Sequence, residues 1–299
     1  MRVVTALACD VALVTFRDLL DLFPDDRPLA AALSARGLAV EVVAWDDPAF
    51  DWSTARLALL RSPWDYYRRP AAFRAWAEGA AAATRLVNPV ECVRWNLDKR
   101  YLLELEGLGA PVVPGALLPA GRVDDLAAVA RARGWSAVVV KPTVSADSWE
   151  ATFVAAGNVA RGQAHVARLQ PERDLLVQPF LAAVETYGER CLVYVEGELS
   201  HAVRKNALTR GGRWAGEPEG VRVEPTAEEI AAAARVLALA LPAAGVVRPL
   251  YARVDLVRDA QDRPCLLELE LVEPTLFFEA GPPSALARFV DGVERRLSD

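Results

Sequence analysis

The 299 residues carry 34 basic against 40 acidic side chains, a net charge of −6, and are 53% hydrophobic, which excludes a disordered chain and a strongly basic nucleic-acid binder. No apolar run reaches the ~18 residues of a membrane span. Four scattered cysteines with no Cys-x-x-Cys pair argue against a disulfide framework or a thiolate metal site.

The first ten residues read as a β-strand, Val3–Cys9, rather than a signal peptide, because the apolar run is short and Asp10 interrupts it. Further strands are expected at Ala39–Trp45 and Ala55–Leu60, with Ala-rich helices at Pro28–Arg36 and Pro70–Thr84. This alternation implies a parallel sheet in an α/β layer, with ligands at the carboxyl ends of the strands. The third strand runs into Arg61-Ser62-Pro63-Trp64-Asp65-Tyr66, either a packed turn with an Arg–Asp pair or a clamp for a substrate carboxylate.

From Asn96 the pattern changes. Helices are expected at Leu97–Leu108, stopped by Gly109, and at Val123–Arg133, stopped by Gly134. A strand Ala137–Lys141, the small-residue loop Thr143–Trp149 and a helix around Arg161–Leu169 complete an α+β unit. The third block opens at Leu175–Leu181 and continues with a hairpin of Arg190–Val195 and Glu198–Lys205 about Glu196-Gly197. Thr209–Gly220 is Gly-rich and reads as a mobile lid. Thr226-Ala-Glu-Glu229 fits a capping box opening a helix through Leu241. Strands Leu250–Val257 and Pro264–Val272 and a helix Ala285–Leu297 close the chain. The division expected is 1–95, 96–174 and 175–299.

Only three residues are lysine, Lys99, Lys141 and Lys205, against thirty-one arginines among the 34 basic residues. A chain that uses Arg for its surface cations keeps Lys where a compact point charge must reach a confined oxygen. The last hairpin carries the other concentration of charge. Period-two geometry puts Tyr251, Arg253 and Asp255 on one face of the first strand and Glu268 and Glu270 on one face of the second, with Leu267, Leu269 and Leu271 opposite. Three carboxylates gathered in this way either surround a hard cation such as Mg²⁺ or form a solvated face neutralised by Arg253.

The ordered series Asn96-x-Asp98-Lys99, Lys141-Pro142, Gln178-Pro179-Phe180-Leu181, Glu185, Gly188–Tyr194, Arg253-x-Asp255 and Glu268-x-Glu270 resembles the ATP-grasp superfamily, above all its glutathione-synthetase-like branch. The likeness covers about residues 95–290, and residues 1–95 are consistent with that superfamily's Rossmann-like pre-grasp domain. The resemblance implies an α/β and α+β fold with ATP between two lobes. It implies Lys99 and Lys141 on the phosphates, Gln178, Pro179, Phe180 and Leu181 at the adenine, Glu185 on the ribose, and Asp255, Glu268 and Glu270 holding Mg²⁺. Arg253 and Lys205 would stabilise charge during phosphoryl transfer. The superfamily commonly has Glu-x-Asn where this chain has Glu268-Leu-Glu270, and the 143–148 loop lacks the usual glycines.

Arg61-Ser-x-Trp-Asp-Tyr66, Asn88-Pro89, Trp95-Asn96 and Leu269–Pro274 together resemble a narrower group of these ligases, known for cyclising O-ureido-serine to cycloserine. That likeness implies a small amino-acid substrate held by Arg61, Ser62, Trp64, Asp65 and Tyr66, and an antibiotic-biosynthetic enzyme of the cytoplasm that binds neither nucleic acid nor membrane. An intermolecular amino-acid ligase and a non-catalytic nucleotide-binding protein are the alternatives. The assembly state, a homo-oligomer included, stays open.

Overall fold

A computed structural model describes residues 7–205 and 220–298 and shows three sheets. Most of the segment expected to form a lid, Thr209–Gly220, lies outside the described residues. The first sheet is parallel, in the order β2-β1-β3-β4, from β1 (Cys9–Thr15), β2 (Val40–Ala44), β3 (Ala55–Leu60) and β4 (Arg85–Val87). Helix α1 (Arg27–Ala35) connects the first two strands and α2 (Pro70–Ala83) the last two. Of the strand expected at Val3–Cys9, residues 3–6 lie outside the described residues, and among the described ones the strand begins at Cys9 rather than ending there. Asp10 does not break it, because its carboxylate accepts the Ala39 N–H at 2.9 Å and pairs with Arg56 at the strand's open end. Val11–Val14 are fully buried between two parallel neighbours, where a continuous apolar run is required.

The expected helix Leu97–Leu108 begins only at Tyr101, as α4 (Tyr101–Gly107), and a separate helix, α3 (Val90–Asn96), precedes it. Between them Lys99 donates its N–H to the Thr143 carbonyl at 2.7 Å, so the chain leaves the helical ladder to dock on the next unit. That unit comprises β5 (Ala116–Leu118), α5 (Leu126–Ala132), β6 (Ala137–Pro142), β7 (Thr152–Ala155), α6 (Val159–Leu169) and β8 (Leu175–Pro179). Its sheet is antiparallel, ordered β5-β8-β6-β7, and its apolar face packs on α5 and α6 through Leu126, Val166 and Leu169.

The third sheet, ordered β11-β10-β9-β12-β13, follows the short helix α7 (Ala183–Thr186). It contains β9 (Glu189–Val195), β10 (Glu198–Lys205), β11 (Val221–Val223), β12 (Tyr251–Arg258) and β13 (Pro264–Glu270). Helix α8 (Ala227–Ala243) starts on the expected capping box, with Thr226 and Glu229 each accepting the other's backbone N–H. It covers the face carrying Leu192, Val254 and Leu269. The closing helix α9 (Pro283–Ser298) buries Phe289, Val290 and Val293 in a core that also contains Leu13, Leu57 and Val193. Burial of the Phe289 side chain stabilises this junction of two sheets by roughly 1.5–3 kcal/mol.

Candidate active site

All three lysines of the chain line one cleft of about 330 Å³. Lys99 reaches it from the α3–α4 junction, Lys141 from the end of β6 and Lys205 from the end of β10. The Lys99 ammonium donates to the Ser145 carbonyl at 2.6 Å and pairs with Glu268 at 3.2 Å. Lys205 lies 3.9 Å from Glu189. Gly188, at φ +78°, packs against the end of β10, where a Cβ would stand 3.1 Å from the Lys205 carbonyl oxygen. Burial alone would raise the Glu268 carboxyl, but Lys99, Lys141 and Lys205 together pull it down to about 2. Burial lowers the Lys141 ammonium and Lys99 adds to the effect, against the opposing pull of Glu268. Such a concentration of cations prepares the cleft for anionic oxygens.

The sheet register brings Asp255 opposite Glu268 and Arg253 opposite Glu270. The Arg253 guanidinium takes both Asp255 oxygens at 2.8 Å and also bonds Glu270. Burial pushes the Glu270 carboxyl up to about 8, with Asp255 and Glu268 adding to the rise while Arg253 opposes it. A bulge after Asp255 pairs Leu256 with Leu266 and leaves Leu267 without a partner. The expected alternation therefore fails at one residue: Leu267 lines the cleft beside Glu268, while Leu269 and Leu271 stay in the core behind. Among the described residues, Glu189, Cys191 and Asp255 also place possible ligand atoms within 4.8 Å of one another. Burial raises the Cys191 thiol well above its ordinary range, so a protonated sulfur is a poor ligand for a hard cation.

The outer edge of β13 is held by side chains. Asn96 accepts the Leu271 N–H at 2.7 Å and donates to the Leu269 carbonyl at 2.8 Å. Tyr101 accepts from Leu269 N–H at 2.8 Å and donates to its carbonyl at 2.9 Å. Asn88 donates to the Tyr251 and Leu271 carbonyls at 2.9 and 2.8 Å. The strand carrying Glu268 and Glu270 is thus fixed on both sides, and edge polar groups that water would otherwise take are satisfied within the protein.

The opposite end of the cleft is apolar. Gln178, Pro179, Phe180 and Leu181 all line it, as do Val139 and Phe153. Phe180 packs edge-on to Phe153 at 4.6 Å and donates its backbone N–H to Ala137 at 2.9 Å, so that N–H serves the fold rather than the cleft. Glu185 is not brought to the wall; it lies on α7 with its side chain exposed, and Glu189 lines the cleft instead.

The expected substrate clamp at 61–66 is corrected in four of five residues. Only Trp64 lines the cleft. Arg61 is 1% exposed and pairs with Asp26 at 2.9 Å. Ser62 is buried, with its hydroxyl 3.2 Å from that of Thr15. Asp65 accepts from Trp45 at 2.7 Å, and Tyr66 donates to the Ser145 carbonyl at 3.3 Å. The turn is packed, as in the alternative, although its arginine pairs with Asp26 and not with Asp65, and it grips the segment after β13. Arg61 donates to the Pro274 carbonyl and Trp64 to the Glu273 carbonyl, each at 3.0 Å. Through this segment Glu273, Thr275 and Phe277 reach the cleft. Glu189 and Glu273 both sit inside runs singled out in the sequence, yet nothing in their spacing distinguishes them from surface acids.

The loop 143–150 forms the cleft's roof without glycine. Asp147, Ser148 and Glu150 take left-handed φ of 49°, 53° and 58°, a conformation that costs non-glycine residues energy. Trp149 is stacked on Tyr67 at 4.8 Å and covered by the Arg173 guanidinium at 4.8 Å, contacts that hold the loop in place.

The family model for the N-terminal domain of D-cycloserine synthetase DcsG matches residues 11–88, the first sheet. The cycloserine biosynthesis protein DcsG of Streptomyces lavendulae is 35% identical over 305 residues, spanning 96% of this chain and 98% of that protein. The chain belongs to the D-cycloserine synthetase DcsG family. A crystal structure of D-cycloserine synthetase DcsG superimposes with a TM-score of 0.88 at 35% identity, covering 96% of this chain and 99% of that one. D-Alanyl-alanine synthetase A of Vibrio cholerae shares the fold alone, with a TM-score of 0.66 at 13% identity over 96% of this chain and 98% of its own. The same holds for a RimK domain ATP-grasp protein of Sphaerobacter thermophilus, at 0.61 and 22% over 95% and 97%. The ATP-grasp fold expected from the motif series is borne out, and this member of the DcsG family is a ligase that forms C–N bonds. Asn88, Asn96 and the 61–66 turn, which carry the narrower resemblance, converge on Leu269–Pro274.

Proposed function

We propose that this chain activates the carboxylate of O-ureido-D-serine with ATP and closes it into D-cycloserine by attack of the substrate's own nitrogen. The observation that carries the reading is the cleft in which all three lysines, Arg253 and the paired Glu268 and Glu270 face one space, joined to the family membership. D-cycloserine lacks the terminal carbamoyl group of the ureido compound, so after ring closure has released phosphate one water must cleave the N–carbamoyl bond, the ring nitrogen taking a proton and the group leaving as carbamate.

The residues present fit Mg-ATP. Lys99 and Lys141 supply point charges for phosphate oxygens, and the apolar end at Phe153, Phe180 and Leu181 suits a base. Asp255, Glu268 and Glu270 are the ligands we assign to Mg²⁺; burial raises Glu270 to about 8, Asp255 and Glu268 add to the rise, and a hard cation would offset both effects. A bound divalent ion would neutralise charge on the transferring phosphoryl group. Arg253 and Lys205 place fixed positive charge beside the reacting carboxylate. Trp64 and Phe277 narrow the cleft and exclude the water that would hydrolyse an acyl phosphate. We assign residues 1–95 to a pre-grasp domain and 96–174 and 175–299 to the two grasp lobes. Four buried, unpaired cysteines suit a reducing cytoplasm.

The test is steady-state kinetics with O-ureido-D-serine as sole amino acid, following ADP and the cyclic product. Full turnover without a second amine is expected. ADP formation only after a second amine is added would make the enzyme an intermolecular ligase.

A further inference from the structure

Five acidic residues line the cleft, and four are accounted for. Glu268 pairs with Lys99, Glu270 with Arg253 and Glu189 with Lys205, while Asp147 is exposed on the roof loop. The fifth, Glu273, has no Lys, Arg or His within ion-pair distance among the described residues, although it is half-buried. Its backbone is pinned, because Trp64 donates to its own carbonyl and Arg61 to the next, each at 3.0 Å. Its carboxyl lies beside the Tyr66 hydroxyl, whose single proton is shared between that carboxyl and the Ser145 carbonyl at 3.3 Å. Lys99 and Arg253 act on the Glu273 carboxyl only from beyond contact, and a carboxylate so held inside a cleft, with no cation touching it, is a site for an incoming one.

The surroundings specify which cation. Arg253 donates to the Thr275 carbonyl at 3.0 Å and stacks over Phe277 at 5.5 Å. The segment that carries Glu273 is therefore tied to the arginine expected beside the reacting carboxylate. Phe23 and Trp64, edge to face at 4.9 Å, close the same end of the cleft. A zwitterion with its carboxylate toward Arg253 has its ammonium on the next carbon, and Glu273 is the cleft carboxylate left to meet it.

We infer that Glu273 binds the α-ammonium group of the amino-acid substrate, with Tyr66, Trp64 and Arg61 acting as its positioning residues. The inference rests on O-ureido-D-serine being the substrate. Burial pushes the Glu273 carboxyl above its usual range, and an ammonium beside it would favour the charged form. The test compares kcat/KM for O-ureido-D-serine and for its des-amino analogue, 3-(ureidooxy)propanoate, in the wild type and in Glu273→Gln. The wild type is expected to favour the amine by about tenfold to a hundredfold, the range of a charge-assisted hydrogen bond. Glu273→Gln is expected to erase most of that preference by lowering the amine's kcat/KM, leaving the analogue's value and the KM for ATP close to wild type. An equal fall on both compounds, or an undiminished preference, would overturn the assignment. If Glu273→Gln does not fold, Glu273→Asp takes its place. It keeps the charge but withdraws it by one methylene, and a smaller loss of the same preference is expected. A wild type that does not turn over O-ureido-D-serine would overturn the functional reading, and this inference with it, before any variant is made.

Discussion

Arg61 and Pro274, 213 residues apart in sequence, are joined by a 3.0 Å hydrogen bond from the guanidinium to the carbonyl. The same guanidinium pairs with Asp26, which is 2% exposed, and lies over the Tyr251 ring at 5.3 Å. The link runs between the carboxyl ends of the parallel strands and the segment that forms one wall of the cleft.

Arg61→Met should therefore act first on stability. It leaves Asp26 buried without its cation, and breaking one side of a buried pair costs roughly 3–5 kcal/mol. Urea unfolding should show that loss. Kinetics of the folded fraction should show a raised KM for the amino acid and an unaltered KM for ATP, since Arg61 does not reach the nucleotide end. An unchanged unfolding midpoint would contradict the role given to this pair.

Lys99→Ala and Lys141→Ala should each weaken ATP binding about tenfold or more, from loss of a charge-assisted contact of ~1.5–3 kcal/mol. Lys99 should be the more damaging site, because its ammonium also holds the Ser145 carbonyl of the roof loop at 2.6 Å. Nucleotide titration measures both, and wild-type affinity in the two variants would remove the phosphate assignment.

The sequence carried the acidic hairpin, the lysines and the Gln178–Leu181 segment legibly, because each rests on a local rule: period-two alternation, residue choice at a strand end, an apolar strand leading into a short helix. What it did not carry depends on tertiary pairing. The Leu267 bulge is set by the register of β12 on β13. The break at Lys99 follows from a hydrogen bond to Thr143, forty-four positions away. Arg61 and Asp65 read more readily as a ligand clamp than as a pair, since their partners come from elsewhere in the sheet's connections: Asp26 from the turn before α1 and Trp45 from the end of β2. Glu273 looked like any acid in a turn until its lack of a cation could be seen.

Glu270 sets a pH dependence with a definite sign. Its carboxyl is raised from the usual 4.5 to about 8, so between these values the folded protein holds a proton that the unfolded chain has released. Stability from this group is then full below about 4.5 and falls as pH rises toward about 8. In metal-free protein, the difference in unfolding midpoint between wild type and Glu270→Gln should move against the wild type across that window. Mg²⁺ with nucleotide should flatten the trend by favouring the charged form. A pH-independent difference would mean that Glu270 is already charged in the metal-free protein.

Asp255→Asn and Glu268→Gln test the metal assignment itself. Both keep the side-chain shape and remove one negative charge from the square in which Arg253 faces Glu270 and Asp255 faces Glu268. Glu268 is held ionised, down to about 2, by the three lysines, so Gln leaves those cations without their shared partner and should cost metal-free stability as well as activity. Asp255 receives two 2.8 Å hydrogen bonds from Arg253; Asn can accept one of them, and Glu270 continues to engage the same guanidinium. Each variant should remain folded by thermal unfolding, while Mg²⁺-dependent ADP formation should be abolished or require much higher Mg²⁺. Measuring ADP release across a Mg²⁺ series separates a ligand from a structural carboxylate: a ligand's loss shifts the Mg²⁺ requirement, whereas a structural loss lowers turnover at every concentration alike. Near-normal turnover at low Mg²⁺ in both variants would reduce the hairpin carboxylates to partners of Arg253 and Lys99.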